Sequence, residues 1–418
     1  MKPNILQGSI LCLLLSLVTH NSLAAAPVSR AQTERAFTTW LKGPLWQKAR
    51  SQNISRATYL AAFKPVKLNW SLPDLRPPGR RQLRRKPPVQ SEFRAPGGYF
   101  KERGLRYNIS RGRRELKKWR RSLDKIERRY GVPREIIIAI WGKETAFGQA
   151  KLPYNAIEVL ATQAFMGRRK ALFERELLAA LAILEQEHIS GRAMKSAWAG
   201  ALGHPQFMPT AFLKYAVDFD GDGSRNIWSS VPDALASIAN FLNQNGWDNK
   251  RNWGQEVRLP KNISCTLEGP DQRLKTSEWQ GWGMRRLNGQ KFARQEHRKN
   301  SFLLLPAGRL GPPFLVSNNF YVLKSYNESD VYALYIGHVA DRMKAGRKFH
   351  RGWSPLNSFS RKDVKAAQLK LEKSGADVGG ADGLIGYKTR ISIGNWQKRN
   401  GYEVTCFPNR AILKKISD

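Results

Sequence analysis

A chain of 418 residues with 41% hydrophobic residues has room for two or three domains and a sizeable core. Its 71 Lys and Arg against 33 Asp and Glu leave a formal net charge of +38, which admits nucleic acid, an anionic membrane or another polyanion as partner. Three cysteines exclude a disulfide framework of the kind that staples small secreted domains. Charge alone names no partner, since it also serves solubility.

Lys2 precedes the apolar run Ile10 to Val18, and Ser22-Leu23-Ala24-Ala25-Ala26 supplies small residues for cleavage. This reads as a secretory leader over residues 1–24, too short to span a bilayer. Cys12 lacks the small residue that precedes a lipid-attachment cysteine, so the product is expected to be exported and soluble. No later stretch is long and apolar enough to span a membrane. Export sets nucleic acid aside as a partner. An anionic cell-wall polymer fits both the leader and the charge.

Residues 28–62 read as amphipathic helix, with Trp40, Leu41, Trp46, Ala57, Leu60 and Phe63 as packing residues. Residues 64–98 are rich in Pro and Arg and cannot hold regular structure for long. They form either a basic tether or a strap over the next domain. Helical character resumes at Arg111 to Tyr130, with Leu116, Trp119, Leu123 and Ile126 on one face. Helices are also expected at Ala171 to Glu187 and Pro232 to Asn245. Strand signal is scarce before about residue 255. Beyond it, Phe302 to Leu305, Phe314 to Val316 and residues 319–335 mix strand and helix. Cys265 and Cys406 lie in different predicted domains and are read as unpaired, with a bridge in an oxidising compartment as the alternative. Neither has zinc-site spacing.

The stretch Gly131 to Gly148, GVPREIIIAIWGKETAFG, carries the sharpest chemical signal. Ile136, Ile137, Ile140 and Trp141 recur at the spacing of one buried helix face, and the next position on that stripe is Glu144. Gly148 is the expected stop. A carboxylate on an apolar face is desolvated, its pKa rises, and it can serve as a general acid near neutrality. The competing reading is a Glu at a helix end that turns to solvent or pairs with Lys143 or a nearby Arg.

The loop-like segment AWAGALGHPQFMPT, Ala197 to Thr210, lets backbone approach a ligand, and Gln206 offers a donor and an acceptor to a sugar. His204 is either a base or, as such turn histidines more often are, a hydrogen-bonding residue. Asn318-Asn319, Ser325-Tyr326-Asn327 and Tyr332 form a second polar and aromatic cluster. Asp218, Asp220, Asp222 and Gly223 match the first half of a calcium loop, but Ser229 stands where the bidentate Glu belongs. An Asp/Gly-rich turn bridging two helices is the favoured reading there. No Walker loop, dinucleotide fingerprint or serine-hydrolase elbow occurs.

Together, GVPREIIIAIWGKETAFG, AWAGALGHPQFMPTAFLKYAVDFDGDG, IWSSVPDALASIANFLNQNGW and FLVSNNFYVLKSYNESDVYALYIGHVADR resemble the B family of lytic murein transglycosylases, bacterial enzymes that cleave peptidoglycan. The resemblance implies a mainly α fold over residues 28–346: a lysozyme-like core with an additional α domain and a small mixed α/β region. It places the family's catalytic Glu at Glu144 and its substrate-contacting residues at Gln206, Tyr326, Asn327 and Tyr332. The family's calcium loop falls on Asp218, Asp220 and Asp222, and no cofactor is required. Ala197 stands where relatives often have Ser, with Ser196 one place earlier. The tail, LKLEKSGADVGGADGLIGYKTRISIGNWQKRNG, resembles a small three-helix peptidoglycan-binding domain over residues 360–418, with Ile391, Ile393 and Trp396 as core. Residues 347–359 read as the linker.

The implied reaction is non-hydrolytic cleavage of the MurNAc-β-1,4-GlcNAc bond to 1,6-anhydromuramyl ends in the periplasm. Peptidoglycan glycan strands are the expected partner, and other cell-wall enzymes are candidates. The alternatives are a hydrolytic muramidase using Asp218 or Asp222 as second acid, and a non-catalytic wall-binding protein.

Overall fold

The computed structural model describes residues 28–78, 95–354 and 359–418. The leader (1–24), the middle of the Pro/Arg-rich stretch and the end of the linker lie outside the described residues. Among the described residues no helix is long and apolar enough to cross a membrane.

In chain order, α1 (Arg30–Trp40), α2 (Trp46–Ser51) and α3 (Arg56–Phe63) precede the Pro/Arg-rich stretch. Then come α4 (Glu102–Lys118), α5 (Arg120–Tyr130) and α6 (Arg134–Thr145). A short ribbon, β1 (Tyr154–Asn155) with β2 (Lys195–Ser196), brackets α7 (Ala156–Met166) and α8 (Lys170–Glu185). After α9 (Pro209–Tyr215) and α10 (Val231–Gln244) come β3 (Gly254–Arg258), α11 (Thr276–Gly281), β4 (Arg285–Arg286), β5 (Phe302–Leu304), β6 (Pro306–Arg309) and β7 (Phe314–Val316). The main helical body closes with α12 (Asn318–Tyr326) and α13 (Asp330–Lys344), and α14 (Arg361–Lys373), α15 (Tyr387–Arg399) and α16 (Arg410–Ser417) form a C-terminal helical cluster, the C-terminal domain expected from the sequence.

The fold is organised around α6. Ile136 through Gly142 are all buried, because α4, α5, α10 and α13 pack around them. The one-sided apolar stripe read from the sequence is therefore a helix hydrophobic on every side, as expected of an element at the centre of a large core. Gly131, in the left-handed region at φ 69°, ends α5 and lets α6 start at once.

Residues 319–335 are wholly helical apart from the α12–α13 turn. Beyond residue 250 the described strands form an antiparallel sheet in the order β4-β3-β7-β5, with β6 beside it. Alternation along two of its strands feeds two cores. Phe302, Leu304, Phe314 and Val316 face the helical core, while Leu303 and Leu315 face a cluster containing Trp279, Cys265 and Cys406.

Cys265 and Cys406 form a disulfide across a sequence separation of 141 residues, with Cα atoms 6.0 Å apart. This overturns the reading of two unpaired cysteines. The residues belong to different regions, but the C-terminal domain docks on the outer face of the sheet and brings them together. The start of the expected linker is anchored too, since Trp353 stacks on Phe100 with ring centroids 5.2 Å apart. The start of the Pro/Arg-rich stretch lies against the helical body, with Leu68 and Leu72 buried and the Arg76 amide donating to Met166 O.

Three packing expectations shift. In α3 the inward residues are Tyr59 and Ala62, whereas Ala57 and Leu60 are exposed. Tyr59 sets that register by packing against Trp46 and Phe63 and donating its hydroxyl to Leu41 O. The helix expected at Arg111 to Tyr130 begins earlier and breaks at Trp119. In α15 Ile393 is fully buried, but Ile391 and Trp396 are half-buried, and Trp396 stacks on Tyr402.

Candidate active site

Glu144 is the penultimate residue of α6. The helix ends at Thr145, three residues before the expected stop, because Ala146, Phe147 and Gly148 all enter the left-handed region at φ 49°, 60° and 77°. Two non-glycine residues in that region are strained, by about 1 kcal/mol each or more. Packing holds them there. The Phe147 ring lies edge-on to Trp141 and fills the space over Gly142. The Gly148 amide donates to Thr145 Oγ1 at 3.2 Å. A Cβ on Gly148 would lie 2.6 Å from the His204 ring, so the glycine is required twice, by conformation and by contact.

The Tyr332 hydroxyl, from α13, donates to a Glu144 carboxylate oxygen at 2.5 Å. Burial pushes the Glu144 carboxyl above its ordinary value, against the opposing effects of that hydrogen bond and of the Lys143 charge. Burial thus favours the protonated form of Glu144. Tyr326 is held well above the phenol range by burial and by the neighbouring Glu144 charge, so it stays protonated. Its hydroxyl donates to Pro205 O at 2.6 Å, which joins α12 to the loop carrying Gln206.

Gln206 occupies that loop at φ 56°, and its side-chain amide donates to Gly203 O at 2.8 Å. The amide is thus oriented by its own turn and half-exposed. Asn327, exposed at the end of α12, accepts from the Ser329 amide. His204 is a structural residue. Its ring stacks on Trp141 and accepts from the Trp141 indole at 3.1 Å, and burial lowers its pKa, keeping it neutral.

The structure thus joins Tyr332 to Glu144 and sets Tyr326 between Glu144 and the loop that carries Gln206, while Asn327 follows Tyr326 with its side chain turned to its own Ser329. Two residues at its edge went unread in the sequence. Tyr335 and Tyr99 flank Lys143, whose ammonium lies 4.9 and 4.3 Å from their ring centroids. Tyr335 stands three residues after Tyr332 on the same helix face, a spacing that could have flagged it.

Asp218, Asp220 and Asp222 gather with carboxylate oxygens within 4.8 Å of one another. The loop is braced from within. Asp218 accepts from the Gly221 and Gly223 amides and Asp222 from Ser224. The buried Asp233 of α10 accepts from the Phe219, Asp220 and Asn226 amides. Ser229, at the twelfth place, accepts from the Asn226 side chain. Three carboxylates are gathered, and the Ser229 hydroxyl stands where calcium loops place a bidentate carboxylate.

Against known families, the one described as "Transglycosylase SLT domain" matches residues 36–341 and "Putative peptidoglycan binding domain" matches residues 360–416. The chain belongs to the SLT-domain transglycosylases. This SLT-domain transglycosylase is 32% identical over 223 residues to Membrane-bound lytic murein transglycosylase B of Escherichia coli (strain K12), an alignment covering 52% of the chain and 59% of that relative. It resembles SltB3 of Pseudomonas aeruginosa in complex with NAG-anhNAM-pentapeptide at TM-score 0.79 and 36% identity, over 91% of this chain and 99% of that one. Soluble lytic transglycosylase SltB1 of the same organism matches at TM-score 0.58 and 28% identity, over 74% of this chain and 97% of that one.

Proposed function

We propose that this transglycosylase cleaves the MurNAc-β-1,4-GlcNAc bond of peptidoglycan without water, with Glu144 as acid and then base. The observation that carries the reading is the Glu144 carboxyl at the end of the central helix, aimed by the Tyr332 hydroxyl at 2.5 Å and pushed toward its protonated form by burial. Glu144 gives its proton to the GlcNAc O4 as the glycosidic bond breaks, and positive charge develops at the muramyl C1. The carboxylate then accepts the proton of the muramyl O6 hydroxyl as O6 bonds to C1. The products are a GlcNAc end and a 1,6-anhydromuramyl end. The nucleophile belongs to the substrate, so positioning replaces a second protein group. Gln206, Tyr326, Asn327 and Tyr332 hold the sugars and their acetamido groups, and no cofactor enters the reaction.

Two observations favour this over hydrolysis. Glycosidases commonly need a second carboxylate, and the side chain hydrogen-bonded to Glu144 is the Tyr332 hydroxyl. Asp218 and Asp222, the candidate second acids, are engaged within their own loop. The anhydro sugar bound to SltB3 is the product type the reading requires. The C-terminal domain would hold the wall polymer, the leader would deliver the chain to the periplasm, and other cell-wall enzymes would act on the same polymer. Any calcium at Asp218, Asp220 and Asp222 is weakly held and structural.

Mass spectrometry of soluble products from purified sacculi tests the reading. Anhydromuramyl ends, lost in Glu144→Gln with the fold retained, support it. Reducing ends, or a Glu144→Gln protein keeping more than a few per cent of activity, overturn it.

A further inference from the structure

One buried charge network lies outside the reaction and joins the C-terminal domain, the segment after Cys265 and the α12–α13 turn. Arg390, on α15 of the C-terminal domain, has a side chain only 3% exposed. It donates to both oxygens of the fully buried Glu268, at 2.9 and 2.6 Å, and to Asp330 at 3.1 Å. Glu268 follows Cys265 by three residues, so the contact joins the covalent tie to Cys406. Burial works against the Arg390 charge, but Glu268 and Asp330 outweigh it and hold the guanidinium above its ordinary range.

Asp330 is the first residue of α13 and also pairs with Lys324 of α12 at 2.6 Å. Each partner stands two residues from a site tyrosine: Lys324 before Tyr326, Asp330 before Tyr332. The Lys324–Asp330 pair closes the turn between the helices, and Arg390 reaches that pair from another domain. Burying three charges this way is no better for stability than well-packed apolar groups. What a bidentate guanidinium adds is fixed geometry.

We propose that Arg390 is a positioning residue for the reaction: through Asp330 and Lys324, the C-terminal domain sets the α12–α13 turn and with it Tyr326 and Tyr332 against Glu144 and the Gln206 loop. The proposal rests on Glu144 being the acid. It makes the wall-binding domain part of the catalytic framework as well as a substrate anchor, so loss of this contact lowers turnover with wall binding intact.

Full-length Asp330→Asn, which leaves the Arg390–Glu268 pair in place, tests this beside Lys324→Met and Arg390→Lys. On solubilised glycan strands, kcat of Asp330→Asn and Lys324→Met should fall about tenfold or more, with KM and sacculus binding within about twofold. Arg390→Lys should retain an intermediate kcat. Combining Asp330→Asn with Tyr332→Phe should lower kcat no further than Tyr332→Phe alone, within about threefold, because both act through one contact. Wild-type kcat in folded Asp330→Asn and Lys324→Met, or multiplicative losses in the double variant, would overturn the proposal. If that happens beside an inactive Glu144→Gln, the acid assignment stands and only the coupling fails. An active Glu144→Gln overturns both.

Discussion

The Tyr332 hydroxyl lies 2.5 Å from the Glu144 carboxylate and donates to it. The two residues come from the central helix α6 and from α13, 188 positions apart. The bond does two things that pull in opposite directions. It fixes the carboxyl in one orientation, and it stabilises the charged form that burial disfavours. A carboxyl set this way is easier to protonate than an exposed one and can still give the proton up.

Removing that donor should therefore change the pH dependence as well as the rate. Besides Tyr332 of α13, the groups acting on Glu144 are Lys143 beside it and Tyr326 of α12. With Tyr332→Phe, burial is opposed by Lys143 alone, and the Glu144 pKa rises further. Because the protonated form starts the reaction, the alkaline limb of the kcat profile should move to higher pH, with kcat at the optimum down about tenfold from lost orientation. Initial rates across pH check this, and an unmoved limb counts against the bond as the tuning contact.

The same burial should appear in stability. Glu144 has a raised pKa in the folded state, so between the ordinary carboxylate value and the folded one the native protein keeps a proton the unfolded chain has lost. Stability then falls as pH rises through that window, and the whole penalty is present above it. Glu144→Gln removes the penalty. Its Tm should exceed that of the wild type by about 2 °C at pH 7.5, with the difference vanishing below about pH 4. Thermal melts at the two pH values decide it.

Glu144 was legible because position 144 continues an apolar stripe, although the stripe was one sector of a helix buried all round. Gln206 and the Tyr326–Asn327 pair were legible as chemistry, and the family resemblance tied them to Glu144. What local pattern could not show was set by docking. The α6 helix ends at Thr145 because Phe147 packs on Gly142, and Leu60 turned outward because Tyr59 claimed the inside. The Arg390 contacts span 60 and 122 positions and leave no periodic trace. The Cys265–Cys406 bridge was missed for the same reason.

Calcium dependence should be restorable by one residue. The loop supplies carboxylates at its first, third and fifth places and lacks the bidentate twelfth ligand, Ser229 standing there instead. Melts of the wild type should shift by under about 1 °C between chelator and millimolar calcium. Ser229→Glu completes the ligand set, and its Tm should rise by about 3 °C or more on calcium addition. A large calcium shift in the wild type would show that other oxygens complete the site.

The disulfide should hold the C-terminal domain against the sheet more than it holds the catalytic region together. A bridge across a sequence separation of 141 residues restricts the unfolded chain by about 5 kcal/mol in the loop-entropy model, and usually delivers less. Both cysteines are fully buried, so the native protein should resist mild reductant. In the Cys265→Ala/Cys406→Ala protein the covalent tie is gone, but Glu268–Arg390 and the Tyr387–Asp271 hydrogen bond remain across the same interface. The C-terminal domain should then melt in a separate step below the main transition, which calorimetry resolves. Limited proteolysis near residue 354, within the link to that domain, should become faster by about tenfold, as a locally opened state gains population. A single unshifted transition would mean that the ionic and packing contacts alone fix the domain.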